Sequence, residues 1–174
     1  AEARGKSFLN LFCYTAAVTV FAGLGGARAT TSIDMSATYL DWARRNLALN
    51  GLPEAQHELV RADCLRWLGA ERRRWDLVFL DPPSFSNSKR MEETLDVQRD
   101  HVALIRAALR VLEREGTLLF STNRRGFRLD AGALADLEIS DLTEQSIDPD
   151  FNRKPVPHRL YRIRHRLARV TETS

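Results

Sequence analysis

Short apolar runs recur along the chain, three successive ones ending at an acid and most followed by a stretch of helical periodicity. The five runs are residues 7–13 (SFLNLFC), 28–33 (RATTSI), 57–60, 75–80 (WDLVFL) and 117–121 (TLLFS). Helical patterns occupy 16–24, the stretch from Ser36 to the Gly51 stop, 65–68 and 94–112. Strands this apolar are buried on both faces, and strands that alternate with helices are joined by crossovers. The pattern therefore predicts an α/β fold with a parallel sheet covered by helices on both sides. After Asn123 it changes: a short helix at 131–137, a strand within 138–145 and an alternating run at 158–166 (HRLYRIRHR) predict a final antiparallel pair closing one edge. No repeat, low-complexity tract or linker divides the 174 residues, so the reading is one domain.

Composition removes several classes. At 44% hydrophobic and 28% charged residues the chain is far from a disordered composition, and no apolar run approaches the roughly 20 residues that cross a bilayer. Cys13 and Cys64 form neither a disulfide framework nor a zinc-binding spacing, which fits a reducing compartment, the cytoplasm, with no metal and no membrane partner. The start AEARGKSF has no initiator Met and no export pattern, which predicts a domain cut from a longer protein, with the missing domains of that chain as partners. Of 26 basic residues three are lysines (Lys6, Lys89, Lys154), leaving 23 arginines, the residue that pairs bidentately with phosphate and stacks on bases. Nucleic acid is thus a candidate partner, although solvated surface accounts equally for a net charge of +3.

Ligands of an open α/β sheet bind outside the carboxyl ends of its strands. The informative residues are then Asn10 to Ala17 after the first strand, Asp34 after the second, Asp63 after the third, Asp81-Pro82-Pro83-Ser84-Phe85 after the fourth and Ser121-Thr122-Asn123 after the fifth. Asp34 reads either as an acceptor for ribose hydroxyls or as a cap for the helix that follows. The first loop, YTAAVT, has none of the glycines that bring backbone to a pyrophosphate, which disfavours NAD and FAD. A nucleoside cofactor without phosphates, such as S-adenosylmethionine (SAM), fits better. In the DPPSF turn two prolines fix φ and withhold N–H groups, and Phe85 offers an aromatic face to a flat ring.

These residues, in this order and spacing, resemble the class I SAM-dependent methyltransferases. More narrowly, FLNLFCYT, AGLGGARATTSIDMSATYLDWARRNLALNGL, DPPSFSNSKRMEETLDVQRDH and FSTNRRGFRLD resemble the C-terminal half of the bifunctional bacterial 23S rRNA guanine methyltransferases, the RlmK part of the RlmKL family. The resemblance implies a Rossmann-like, seven-stranded, mostly parallel sheet with an antiparallel last strand and helices on both faces. It also implies SAM as methyl donor, 23S rRNA or its precursor particle as substrate, and N7-methylguanine as product. The cofactor set it implies is Asn10, Phe12, Tyr14, Thr15, Ala16, Asp34, Met35, Asp63 and Cys64; Asp81, Pro82, Pro83 and Phe85 would receive the target base. The family usually has Gly where this chain has Ala16, an extra methyl where backbone should approach the cofactor.

The chemistry fits such an economy of groups. N7 of guanine has a free lone pair, so positioning and desolvation suffice, with no base required. No His adjoins the DPP turn in sequence, and His101 reads as structural. A cysteine mechanism at carbon 5 of a pyrimidine needs a thiolate near the fourth or fifth strand end, where neither cysteine lies. Transfer to N2 of guanine, with Asp81 or the Pro82 carbonyl accepting an N–H, and a domain that binds SAM or RNA without catalysis stay open. Asn87, Lys89, Arg90, Arg99, Arg124 and Arg125 fall in or near loops at the same edge and are the expected phosphate contacts.

Overall fold

The computed structural model describes residues 2–86, 95–147 and 156–166. Its main sheet contains β1 (Ser7–Leu11), β2 (Ala29–Asp34), β3 (His57–Arg61), β4 (Trp75–Leu80), β7 (Leu112–Thr122), β8 (Leu137–Asp141) and β9 (Arg159–His165). The spatial order is β3-β2-β1-β4-β7-β9-β8. Six strands run in one direction, and β9 alone, inserted between β7 and β8, is antiparallel to its neighbours. The expected seven-stranded sheet with an antiparallel last strand is therefore present. A small second sheet pairs β5 (Phe85–Ser86) with β6 (Leu95–Asp96) and joins the two ends of 87–94.

Helices α1 (Ala17–Leu24) and α2 (Ala37–Leu49) cover one face, and α3 (Cys64–Ala70) and α4 (Val97–Leu109) the other; α5 (Thr143–Ser146) is a single turn beside β9. β1 is buried at all five positions, as a central strand covered on both sides must be. Its Leu9 and Leu11 join the larger core with Leu68, Leu104, Ile105, Phe120 and Ile163, whereas Phe8 faces Ala22 and Leu77 on the α1 side. α2 begins where Ser36 accepts the Tyr39 N–H, and its end is followed by Gly51 at φ +68°, a conformation glycine adopts without a Cβ penalty.

Two expected helices change. The pattern over 94–112 divides into β6, α4 and the start of β7. Asp96 caps α4 through the Gln98 and Arg99 N–H groups, and the chain leaves the helix early because Trp75 donates to the Val111 carbonyl and pairs with Leu112. β7 then runs eleven residues rather than the expected 117–121, with a register shift between Trp75 and Leu77 absorbing its irregular start. At 131–137 the chain forms successive turns, not a helix: Asp130 accepts the Ala133 N–H, and Leu137 donates to Leu134 three residues back. So short a segment containing Gly132 cannot offset the cost of helix nucleation.

Candidate active site

The strand order reverses between β1 and β4, and the loops after β1, β2, β3, β4 and β7 gather at the carboxyl edge around that point, where open sheets bind ligands. The loop after β1 has an unusual backbone. Phe12, Tyr14 and Ala16 all lie in the left-handed region, at φ +57°, +51° and +57°. Such conformations cost a residue with a Cβ roughly 1–2 kcal/mol each and persist only where surroundings fix them.

Here the clamps are identifiable. The Phe12 N–H donates to Cys64 Sγ at 3.2 Å, the Cys13 N–H to the Ile33 carbonyl at 2.9 Å, and the Tyr14 N–H to Asp34 Oδ2 at 3.0 Å. Asn46 of α2 donates to the Thr15 carbonyl at 2.9 Å. Beneath the loop, buried Asn10 donates to Thr19 Oγ1, which shares a 2.7 Å bond with Ser32. Sequence reasoning placed Asn10 and Cys64 against the cofactor; the structure places both side chains under the loop, shaping it. Asn46 carried no sequence signal, since a polar residue late in an amphipathic helix reads as solvated surface. Burial pushes the Cys13 thiol up to about 12 and raises that of Cys64 further, so neither is a thiolate at neutral pH.

The acids keep capacity to bind. Asp34 spends Oδ2 on Tyr14 and Oδ1 on the Ser36 N–H at 2.8 Å, one bond per oxygen, leaving lone pairs for two ribose hydroxyls. The cap of α2 expected of Asp34 is instead Ser36; Asp34 holds the Ser36 N–H just before the helix. Asp63 is the N-cap of α3, its Oδ1 accepting the Arg66 N–H, and its other oxygen has no partner among the described residues. The Met35 carbonyl accepts from Arg61 Nε at 3.3 Å. Tyr14, 54% exposed, meets Tyr39 edge to face with ring centroids 4.5 Å apart, forming an aromatic rim beside Asp34. Two carboxylates with acceptor capacity to spare and a strained loop beside the α1 N-terminus leave room for a polar ligand at this edge. Nothing in this loop cradles a pyrophosphate.

At the end of β4, Pro82 is buried, Pro83 is exposed and Phe85 is 57% exposed, so the turn displays its ring as the sequence predicts. Asp81 follows directly on the Leu80–Phe120 pair of β4 and β7, and the Ser121 hydroxyl of β7 favours its charged form. The residue reaches solvent, yet burial of its carboxyl raises the pKa; the Ser121 hydroxyl and the charge of His158 oppose that rise. His158 was not foreseen as a neighbour of this turn. The antiparallel insertion of β9 beside β7 returns the chain to the carboxyl edge at Arg159, and His158 comes with it, bonded to Ser146 Oγ at 2.7 Å. Ser84 donates to Asn123 Oδ1 at 2.6 Å, tying the turn after β4 to the end of β7.

His101 is structural: it is buried, Nδ1 meets the Gln98 carbonyl at 2.9 Å and Nε2 accepts the Asp130 N–H. Of the expected phosphate contacts, Arg124 is paired with Asp96 at 2.7 Å and Arg99 with Asp100 at 2.6 Å, while Arg125 is exposed. Asn87, Lys89 and Arg90 lie outside the described residues. Among the described residues no three His, Cys, Asp or Glu side chains group as a metal site, and no helix is long and apolar enough to cross a membrane.

Known proteins agree with this geometry. A curated relative, the ribosomal RNA large subunit methyltransferase K/L of Cellvibrio japonicus, is 58% identical over 163 residues, which is 94% of this chain and 22% of that protein. The structure of SMU.776 complexed with SAH superposes with a TM-score of 0.83 at 30% identity, over 94% of this chain and 46% of that one. A ribosomal protein L11 methylase from Lactobacillus delbrueckii subsp. bulgaricus, 16% identical, shares the fold with a TM-score of 0.69. The sequence model of the S-adenosylmethionine-dependent methyltransferases matches residues 1–133, and the chain belongs to this family.

Proposed function

We propose that this domain methylates guanine at N7 in large-subunit ribosomal RNA. The carrying observation is the Asp81–Phe85 turn, with an exposed aromatic ring and an acceptor beside the cofactor edge, in a chain 58% identical to part of a ribosomal RNA methyltransferase. Bound SAM would supply an electrophilic methyl on sulfonium sulfur, which the N7 lone pair takes as the carbon–sulfur bond breaks, with no proton lost. What the protein must add is position. Phe85 stacks the extruded base, Pro82 and Pro83 hold the turn rigid, and the clamped loop of Phe12, Tyr14, Thr15 and Ala16 fixes the methyl donor against Asp34, Met35, Asp63 and the Cys64 backbone. Holding two reactants at 3–3.5 Å in line is worth up to roughly 7–11 kcal/mol. The arginines near this edge, Arg125 foremost among those described, contact RNA phosphates, and extruding the base costs a few kcal/mol that those contacts and Phe85 offset.

One observation favours a second reading. Asp81 is an acceptor at the base site, and an acceptor suits an attacking N2 amino group better than N7. The experiment is methyl transfer from labelled SAM to unmodified large-subunit rRNA, followed by nuclease digestion and mass spectrometry. N7-methylguanosine is expected; N2-methylguanosine would replace the first reading with the second. Cofactor binding without incorporation would leave a binding domain.

A further inference from the structure

Asn123 follows Thr122, the last residue of β7. Its Oδ1 accepts the Ser84 hydroxyl at 2.6 Å, and its amide nitrogen has no partner among the described residues. An amide whose oxygen is held this way has one orientation, with two N–H donors turned away from Ser84. Ser84 is itself fixed, since its carbonyl accepts the Val97 N–H and it lies between Pro83 and the Phe85 strand. Asn123 is exposed and stands two residues beyond Ser121, whose hydroxyl favours the charged form of Asp81. A held amide donor is therefore tied to the turn that carries both the Asp81 carboxylate and the exposed ring of Phe85.

Guanine presents O6, an acceptor, between N7 on one side and the N1–H donor on the other; adenine presents a donor amino group at that position. We propose that Asn123 is the specificity-determining residue of this site, donating its amide N–H to guanine O6, with Ser84 holding the amide in that orientation. The inference rests on the guanine-N7 reading above. It gives Asn123 two consequences. An amide bonded to O6 fixes the neighbouring N7 at the methyl donor, and it meets adenine donor to donor, leaving both groups unpaired.

The test pairs a change in the protein with a change in the base. An rRNA fragment is made with guanine or 6-thioguanine at the position methylated in the previous assay; sulfur keeps N7, N1–H and the 2-amino group but accepts hydrogen bonds weakly. The unmodified protein is expected to methylate thioguanine about fivefold to tenfold more slowly, the equivalent of one neutral hydrogen bond. Asn123→Asp keeps an oxygen for the Ser84 hydroxyl and removes the donor. It should slow guanine methylation at least tenfold and bring the guanine-to-thioguanine ratio to about one. Unchanged SAM binding by calorimetry shows the variant is folded; if it is not, Asn123→Ala, which also lacks the donor, serves for the same ratio. A variant that keeps the original ratio overturns the role of Asn123 alone. An N2-methylguanosine product from the unmodified protein overturns the reading beneath it.

Discussion

Ala16 shows how far a single position can be read. Its presence where the family usually has Gly is visible in the sequence, and the structure supplies the reason Gly is preferred: φ +57° and ψ +30° at the N-cap of α1, fully buried. A Cβ there costs roughly 1–2 kcal/mol against glycine, part of which glycine returns through its larger unfolded-state entropy. Ala16→Gly should therefore raise stability by about 1 kcal/mol, seen as a higher urea midpoint at unchanged slope, and bind SAM as tightly or more tightly. A lower midpoint would show that the loop is held by its clamps regardless of residue 16. The left-handed backbone at Phe12 and Tyr14 has no such sequence mark. Neither residue type suggests positive φ, because the partners that enforce it, Cys64 and Asp34, lie 52 and 20 residues away.

At the scale of elements, five parallel strands were legible because apolar runs bounded by turns are a local signal, and Trp75–Leu80 is found at its expected limits. The start of β7 and the turns at 131–137 were not, since pairing of Trp75 with Leu112 decides the first and weak helix nucleation the second. The cofactor loop likewise depends on elements that sequence treats separately. Asn46 belongs to α2 and Cys64 to α3, yet both hold the loop after β1. Asn46→Ala removes the donor to the Thr15 carbonyl and should weaken SAM binding several-fold by calorimetry, with a stability loss of about 1 kcal/mol. Cys64→Val leaves the Phe12 N–H buried without an acceptor, a cost of about 1–3 kcal/mol, whereas Cys64→Ser keeps one. If the two Cys64 variants melt alike, the Sγ contact does not hold the loop.

Across the whole molecule, depressed pKa values predict a loss of stability in acid that comes in two stages. His57 is buried beside Thr30 on the inner side of β3, and burial lowers its pKa from the ordinary 6.5. The unfolded chain therefore takes up this proton first, and stability present above pH 6.5 declines as pH falls through 6.5 toward the folded value. The carboxylates act lower. The Arg73 guanidinium bonded to Glu71 brings it to about 2, and Arg106 does the same for Asp136. Arg99 lowers Asp100; at Asp76 burial works upward but the Ser7 N–H and hydroxyl with Arg28 outweigh it. Each contributes stability that is complete above its unfolded value near 4 and is lost as pH falls through the folded one. Asp81, raised, has the opposite sign and blunts the second stage slightly. A melting series from pH 8 to 3 should show a flat region, a shallow decline beginning near 6.5 and a steep one below about 4.5. His57→Gln removes only the titrating ring, so its series should lose the shallow decline and keep the steep one; a variant that retains both would place the upper stage elsewhere than at the β2–β3 pair.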